Sequence, residues 1–499
     1  MEAAEPAVLP DDVLVEVLRR LAPHSVAACR WVCKAWRDTI DARLRRRLLS
    51  QSVRGIFINF TAHSFSEFFS RPSTGPAICG GLDFLPCRGV RIRDHCDGLV
   101  LCHDWLREYV VNPATRRWAR LPQRPPPPGH MPGLDQTAYL AFDHAASPHY
   151  KVFLIPCLPY GGLEDNSSLE SEWPPASYAM HVFSSMTKRW EKTTFLREGE
   201  AAGILANMLG VRKGIGIGIG IVPSTGEAMS LSNHKYQVIK LPGIDGLSTP
   251  THYFGLSTPT HYLGRTMRGV YCALDYHGLQ LWYLDESCSQ TEWVLEHFVD
   301  FNVTARRLHT CLQQTLVMQD VNYRKASYLY GDKHANREAP VEEKYDWTSD
   351  EDNILDTEDD VEDDYYTSDL EFLGFHPYKE VVFLSSLVVR GLAYHWNSSK
   401  FQDLGSLYPK QYSSVAMAFA GIDTYFPYTP CWMHDFPGNE SESLLQDERL
   451  LTRESESEDE DDPSFTSMDE YELQKLRGHT KRVKDSRAKV RRRHRIRAR

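Results

Sequence analysis

The sequence predicts an α+β, multi-domain protein in which a short three-helix segment precedes an all-β, propeller-like domain. Apolar residues recur at helical spacing up to about residue 50, and short apolar strands separated by polar turns replace them from about residue 54. A dense acidic run interrupts the strands and a charged tail follows them. Because like charges at this density resist burial, we expect a disordered insertion and a disordered tail.

The domain boundaries follow these changes of pattern. We predict an N-terminal tail (1–8), a helical segment (9–50), a first β region (51–341), an acidic insertion (342–369), a last β segment (370–436) and an acidic-then-basic tail (437–499).

The composition indicates a folded chain, and the cysteine pattern indicates a reducing compartment. Hydrophobic residues make up 42% of the sequence and aromatic residues 11%, which suits a packed core. The 11 cysteines follow no disulfide or metal spacing. Neither a signal peptide nor a membrane-spanning apolar window is present. We therefore expect free thiols, no membrane partner, and localisation in the nucleus and/or the cytoplasm.

The helical segment has one apolar stripe, formed at i, i+3, i+4 and i+7 by Leu14, Val17, Leu18 and Leu21. We expect Asp11 or Asp12 to cap the first helix and Pro23 to end it. Ser25 is expected to cap a second helix that carries Val26, Cys29, Val32 and Cys33. Helices this short bury little surface alone. The segment is therefore either a cap packed on its own chain or a module completed by a partner.

Four short motifs give this segment a family resemblance: Leu9-Pro10, Arg20-Leu21, Ser25-Val26 and Val32-Cys33-Lys34-Ala35-Trp36. In order and spacing they resemble an F-box. The resemblance implies binding to a Skp-type adaptor and, through it, to a cullin–RING ubiquitin ligase. The adaptor-binding residues that it implies are Leu9, Pro10, Leu14, Val17, Leu18, Leu21, Ser25, Val26, Val32, Cys33 and Trp36.

The β region repeats one unit, a strand followed by a polar turn, an aromatic residue and another strand. The repeated aromatic residues, which we expect in the propeller core, are Trp118, Trp190, Tyr236, Trp293 and Phe401. Their separations of 72, 46, 57 and 108 residues fit kelch-like repeats of about 50 residues with insertions. An irregular β-sandwich is the alternative.

Several segments extend the resemblance into the β region: Tyr109–Trp118, Leu281–Ser287, Phe372–Pro377 and Arg390–Tyr394. They are similar to the F-box-associated, kelch-like β-propeller region of the large plant F-box families, especially those of grasses. The resemblance implies that the propeller captures a target protein. It does not identify the target, because the capturing residues vary with the substrate.

No metal, cofactor or catalytic residue is predicted. The closest metal-like group is His95-Cys96 with Cys102-His103, but apolar alternation predicts strands whose His and Cys point to different faces. The acidic insertion contains 14 Asp and Glu residues but no Gly. Because a calcium-binding loop needs a central Gly, such a loop is not expected. Hydrolase and metalloprotease motifs are absent from the sequence.

The tail carries candidate signals. Residues 473–499 contain 13 Lys and Arg against one acid, and the nuclear-import candidates are Lys481, Arg482, Arg491, Arg492 and Arg493. The same residues could instead bind nucleic acid or fold back on the acidic runs; because no aromatic is interleaved, base stacking is not expected. Ser455 and Ser457, each followed three residues later by an acid, are candidate sites for an acidophilic kinase.

These observations predict a non-catalytic interaction protein. The expected function is that of a substrate-recognition subunit of an SCF-type cullin–RING ubiquitin ligase, with the helical segment holding the adaptor and the propeller holding an unknown target protein. The alternative is a nuclear regulatory or nucleic-acid-associated protein that uses its basic tail and has no ligase function.

Overall fold

The computed structural model describes the helical segment and most of the β region. The described residues are 10–61, 63–70, 76–87, 89–104, 106–127, 135–157, 170–201, 203–204, 220–221, 227–232, 234–242, 260–275, 278–287, 291–300, 319–320, 354–355, 370–386, 390–407, 409 and 421–433. The predictions for Leu9, Ser455, Ser457, Lys481, Arg482 and Arg491–Arg493 lie outside them.

Three α-helices and one 3₁₀-helix form the N-terminal helical module (residues 10–50). They are α1 (Asp11–Arg19), α2 (Pro23–Cys29), α3 (Lys34–Arg43) and the 3₁₀-helix Arg45–Leu48. No helix in the described part of the chain is long and apolar enough to cross a membrane.

The details of the helix ends correct the sequence-based expectations. Pro10, not an aspartate, occupies the N-cap of α1, and no side chain caps that helix. Pro23 begins α2, because the missing N–H of proline costs nothing at the first helical position. Ser25 therefore lies inside α2, while Val32 and Cys33 lie between α2 and α3.

The β region contains 26 described strands. They are β1 (Gly55–Phe60), β2 (Glu67–Ser70), β3 (Arg91–Cys96), β4 (Leu99–His103), β5 (Glu108–Asn112), β6 (Arg117–Arg120), β7 (Asp135–Ala141), β8 (Lys151–Cys157), β9 (Glu172–Trp173), β10 (Ser177–Ser184), β11 (Arg189–Glu198), β12 (Gly203–Ile204), β13 (Gly220–Ile221), β14 (Glu227–Ser232), β15 (Lys235–Lys240), β16 (Thr260–Arg265), β17 (Val270–Asp275), β18 (Leu279–Asp285), β19 (Glu292–Val299), β20 (Gln319–Asp320), β21 (Ile354–Leu355), β22 (Leu370–Phe375), β23 (Val381–Ser386), β24 (Arg390–His395), β25 (Lys400–Ser406) and β26 (Ile422–Tyr428).

Five antiparallel sheets give the propeller-like arrangement and confirm the predicted fold class. Counted outward from the centre, they run β26-β1-β2-β20, β3-β4-β5-β6, β7-β8-β10-β11, β16-β17-β18-β19 and β22-β23-β24-β25. The ring closes on itself because the last strand, β26, pairs with the first, β1. Such sheets cannot bury their faces alone, so the blades stabilise one another.

Short additional strands cover the outer strands of three blades. β20 pairs with β2, β21 pairs with β25, and β15 pairs in parallel with β11. β21 lies inside the predicted acidic insertion, whose other residues lie outside the described part of the chain. Two apolar residues, Ile354 and Leu355, interrupt the acids there, which makes a strand possible.

Four of the five repeated aromatic residues occupy equivalent positions in their blades. Trp118, Trp190, Trp293 and Phe401 lie on the fourth strand of their blades, and Tyr236 lies on β15. Trp118, Tyr236 and Phe401 are buried, whereas Trp190 and Trp293 are partly buried. A residue in the left-handed conformation stands two positions before four of these aromatics, at Arg116, Lys188, His234 and Ser399. One turn geometry therefore recurs around the ring.

Candidate functional site

The helical module exposes several large apolar side chains. Val13 and Val17 on α1 are 47% and 52% exposed, and they share a helix face at i, i+4 spacing. Trp31 and Val32, in the turn after α2, are 58% and 62% exposed. The guanidinium of Arg37 lies 5.4 Å from the ring centre of Trp31. Exposed apolar residues gathered on one small module are characteristic of a protein–protein contact.

The predicted adaptor-binding residues divide into three groups. Leu14, Leu18 and Val26 are buried in the module's own core, so they hold the helices in place and present no surface. Leu21, Ser25 and Trp36 are partly buried. The exposed residues are Pro10, Val17, Val32 and Cys33.

Polar contacts between side chains and between side chain and backbone hold the helices together. Nε and Nη2 of Arg30 each donate to a carboxylate oxygen of Asp41 at 2.8 Å. Arg47 Nη2 donates to the carbonyl oxygens of Arg19 and Leu21, at 2.7 and 3.1 Å, and so ties the 3₁₀-helix to the end of α1. Sequence analysis did not identify Arg30, because an isolated arginine at this position belongs to no periodic pattern.

A returning segment joins the module to the propeller. We call this segment, Thr429–Met433, the C-terminal clasp. Its Trp432 N–H donates to the Leu48 carbonyl at 2.8 Å, and Ser50 N–H donates to Pro430 at 2.9 Å. Cys431 forms an isolated β-bridge with Leu49, and its carbonyl accepts a hydrogen bond from Asn112 Nδ2 at 2.9 Å.

One apolar core continues through this junction. It combines module residues such as Leu18 and Leu48 with propeller residues such as Leu99 and Phe142, and it includes Cys431 of the clasp. The module is therefore packed on its own chain, while Val13, Val17, Trp31 and Val32 stay exposed.

Comparison with known families identifies the module. The sequence model of the F-box-like family matches residues 7–51. This chain carries an F-box-like domain. The match spans the three helices and the 3₁₀-helix, and it confirms the resemblance seen in the sequence motifs.

Two relatives from Arabidopsis thaliana are F-box proteins. F-box protein At5g49610 is 26% identical over 199 residues, which cover 38% of this chain and 52% of the relative. The putative F-box protein At5g52610 is 29% identical over 131 residues, which cover 24% of this chain and 35% of the relative. The chain thus spans about half of the first relative and about a third of the second. These relatives support a plant F-box protein, and the narrower assignments to a kelch type and to grass families stay predictions.

Solved structures add little. AztD of Citrobacter koseri is 12% identical, with a TM-score of 0.29 over 72% of this chain and 86% of that chain. YCF48 bound to a D1 peptide is 8% identical, with a TM-score of 0.28 over 70% of this chain and 81% of that chain. Likenesses this weak carry no conclusion.

Beyond the F-box-like domain, a cavity of about 1310 Å³ lies among the innermost strands of the five blades. Its walls include the aromatic rings of Tyr139, Tyr262 and Tyr425, and the end of the F-box-like domain reaches it through Arg46 and Leu49. Because cationic, anionic and aromatic groups all line the cavity, its lining does not select one class of ligand.

Three potential metal ligands meet at this cavity. Ligand atoms of Asp97, Asp143 and His144 lie within 4.8 Å of one another. His144 Nδ1 already shares a 2.7 Å hydrogen bond with Asp97 Oδ2, and Asp143 Oδ1 accepts the backbone N–H of Ala145 at 2.9 Å. These contacts account for the cluster as a hydrogen-bonded turn. Sequence analysis missed it because Asp97 and Asp143 belong to different blades.

The histidine and cysteine group considered from the sequence does not converge. His95 pairs with Val100 across the β3–β4 hairpin, whereas Cys102 pairs with Ile92. His95 Nε2 instead lies 2.9 Å from the Pro427 carbonyl, and Cys96 Sγ donates to the Phe142 carbonyl at 3.2 Å. Burial raises the pKa of the Cys96 thiol, so this sulfur stays protonated at neutral pH.

Proposed function

We propose that this chain is a substrate-recognition subunit of an SCF-type cullin–RING ubiquitin ligase. The observation that carries the proposal is the exposed apolar surface of an F-box-like domain whose opposite side is packed on a propeller. The exposed side chains, which include Val17 and Val32, bind a Skp-type adaptor. The propeller binds a target protein.

The proposed mechanism is proximity. The chain itself performs no ubiquitin chemistry; it raises the effective concentration of target lysines near a charged ubiquitin carrier held by other subunits. The C-terminal clasp supports this role, because hydrogen bonds at Trp432 and Ser50 fix the F-box-like domain against the propeller. A fixed geometry limits the positions that target lysines can sample.

Adaptor binding tests the proposal directly. The double variant Val17→Glu, Val32→Glu places charges on two exposed positions and should abolish capture of a purified Skp-type adaptor. Met186→Glu is the matched control, because Met186 is 65% exposed on a propeller turn and should leave capture unchanged. Unchanged adaptor capture by the double variant, or no capture by the native chain, would defeat the proposal.

A further inference from the structure

The outer strand of the fourth blade differs from the other outer strands. β19 is 8 residues long and ends the sheet β16-β17-β18-β19. Among the described residues, no strand pairs with its outer side, whereas β2, β11 and β25 are each covered by another strand of the chain. The remaining uncovered outer strand, β6, has only 4 residues, two of which are arginines.

β19 also exposes apolar side chains along this edge. Val294 and Leu295 are each 47% exposed, and Phe298 is 52% exposed. A bulge at Glu296 shifts the register against Leu281 and Trp282, so that Leu295 and Phe298, which lie opposite Trp282 and Gln280, share one face of the blade. Proteins normally blunt a long apolar edge with charge, proline, a bulge or a cover. β19 has a bulge and two glutamates, Glu292 and Glu296, yet Val294, Leu295 and Phe298 stay exposed.

The ends of β19 are acidic. Glu286 and Glu292 are exposed near its beginning, and Asp300 is exposed directly after its end. Residues 285–300 contain no Lys or Arg. Within the strand, Glu296 already has partners: it accepts a hydrogen bond from Tyr271 Oη at 2.7 Å and forms an ion pair with Arg268. An occupant that carries positive charge at its ends is therefore favoured over a neutral or acidic one.

We propose that the outer edge of β19 binds an extended segment of the target protein, which adds to the blade as a fifth strand. This inference rests on the proposed function and names the substrate class: a segment with apolar residues at alternating positions and Lys or Arg near its ends. Main-chain hydrogen bonds supply affinity, and contacts with Leu295 and Phe298 supply selectivity. The strands that cover β2 and β25, each 2 residues long, show that outer strands of this propeller accept short extended segments.

The test uses the full chain and displayed random peptides of about ten residues, a length that spans the strand. The variant Leu295→Lys, Phe298→Lys removes the apolar contacts and reverses the charge preference. Leu106→Lys is the matched control, because Leu106 is 89% exposed in another blade. Thermal unfolding of all three proteins shows whether the exposed substitutions leave the fold unchanged.

We expect the selected peptides to alternate apolar and polar residues and to carry Lys or Arg. Their affinity should fall at least about tenfold in the double variant and stay the same in the control. Methylation of alternate backbone nitrogens of the peptide should also abolish binding, because a side-chain contact alone would tolerate it. Hydrogen exchange at residues 292–299 should slow when peptide is bound.

Two results would overturn the inference. If the peptides bind the Leu295→Lys, Phe298→Lys variant as tightly as the native chain, the outer edge of β19 is not their binding site. A concentration-dependent dimer of the native chain that the double variant dissolves would show that a second copy covers β19. Adaptor capture, measured on the same proteins, separates the two proposals. The variant Leu295→Lys, Phe298→Lys should still capture the adaptor. If the native chain fails to capture the adaptor, the proposed ligase role alone is defeated.

Discussion

Arg30 and Asp41 form a two-point ion pair inside the F-box-like domain, with both N–O distances at 2.8 Å. The Arg30 side chain is 2% exposed and that of Asp41 is 31% exposed. The pair joins the end of α2 to the last turn of α3. Because a guanidinium stays charged in proteins, its burial is tolerated only where a partner neutralises it.

Replacement of Asp41 by Ala should therefore loosen the domain. We expect a loss of about 3 kcal/mol, since the change leaves the Arg30 charge buried without its carboxylate. Hydrogen exchange of the α1–α3 amides in urea measures this loss. The double variant Arg30→Met, Asp41→Leu should recover most of the lost stability, because both charges are removed and apolar side chains fill their space. A double variant as unstable as Asp41→Ala would contradict this account.

Neighbouring residues on α1 should separate stability from adaptor binding. Leu18 is 1% exposed, and Leu18→Ala should cost about 2–5 kcal/mol through the cavity that it leaves. Val17 is 52% exposed, and Val17→Ala should change stability by less than about 0.5 kcal/mol while weakening adaptor capture. Thermal unfolding and adaptor titration of both variants test this. The expectation fails if Val17→Ala destabilises the chain as much as Leu18→Ala.

Sequence patterns predicted the helices and the repeat but not the side that each element buries. The stripe of Leu14, Val17 and Leu18 satisfies helical spacing, yet Leu14 and Leu18 are buried in the module's core while Val17 faces outward. The recurring aromatics were visible because one turn geometry precedes them. The Arg30–Asp41 pair and the clasp were not, because contacts between residues distant in sequence leave no periodic signal.

The site predictions show the same limit. The motif resemblance located the F-box-like domain, but it could not tell surface residues such as Val32 from core residues such as Val26. The exposed edge of β19 was also beyond sequence reasoning. Its bulge depends on pairing with β18, and no described strand covers its outer side because β20 and β21 pair elsewhere in the fold.

A buried carboxyl group between two blades should make stability depend on pH. Asp94 on β3 accepts the Leu140 N–H of β7 at 2.7 Å. Burial raises the pKa of Asp94 to about 8, although hydrogen bonds from Leu140 and His95 oppose this shift. Between the ordinary carboxyl pKa near 4 and this raised value, the folded chain binds more protons than the unfolded chain. Stability from this group is therefore complete below the ordinary pKa and is lost as pH rises toward 8.

The variant Asp94→Asn cannot titrate and isolates this effect. From pH 5 to pH 7, the free energy of unfolding of the native chain should fall relative to that of the variant. The slope should not exceed about 1.4 kcal/mol per pH unit, the limit for one proton. Urea unfolding midpoints of both proteins at several pH values give the comparison. A constant difference between them would contradict the raised pKa.

Gly98 should control how firmly the C-terminal clasp holds the F-box-like domain. Its φ is +80°, and a Cβ there would lie 2.5 Å from both Cys431 Cβ and Cys431 N. Gly199 has a similar φ of +87° with nothing within 4 Å of its Cβ position, so it is a matched control. Both Gly→Ala changes carry the same backbone strain of about 1–2 kcal/mol, but only Gly98→Ala also meets the clasp.

We therefore expect Gly98→Ala to cost about 1–3 kcal/mol more than Gly199→Ala, because overpacking forces the clasp to shift. Hydrogen exchange should locate the difference. The N–H groups of Ser50 and Trp432, which join the clasp to the end of the F-box-like domain, should exchange faster in Gly98→Ala and unchanged in Gly199→Ala. Equal exchange in both variants would show that the clasp tolerates a shift at Cys431, and the hydrogen bond from Asn112 would then be the contact that holds it.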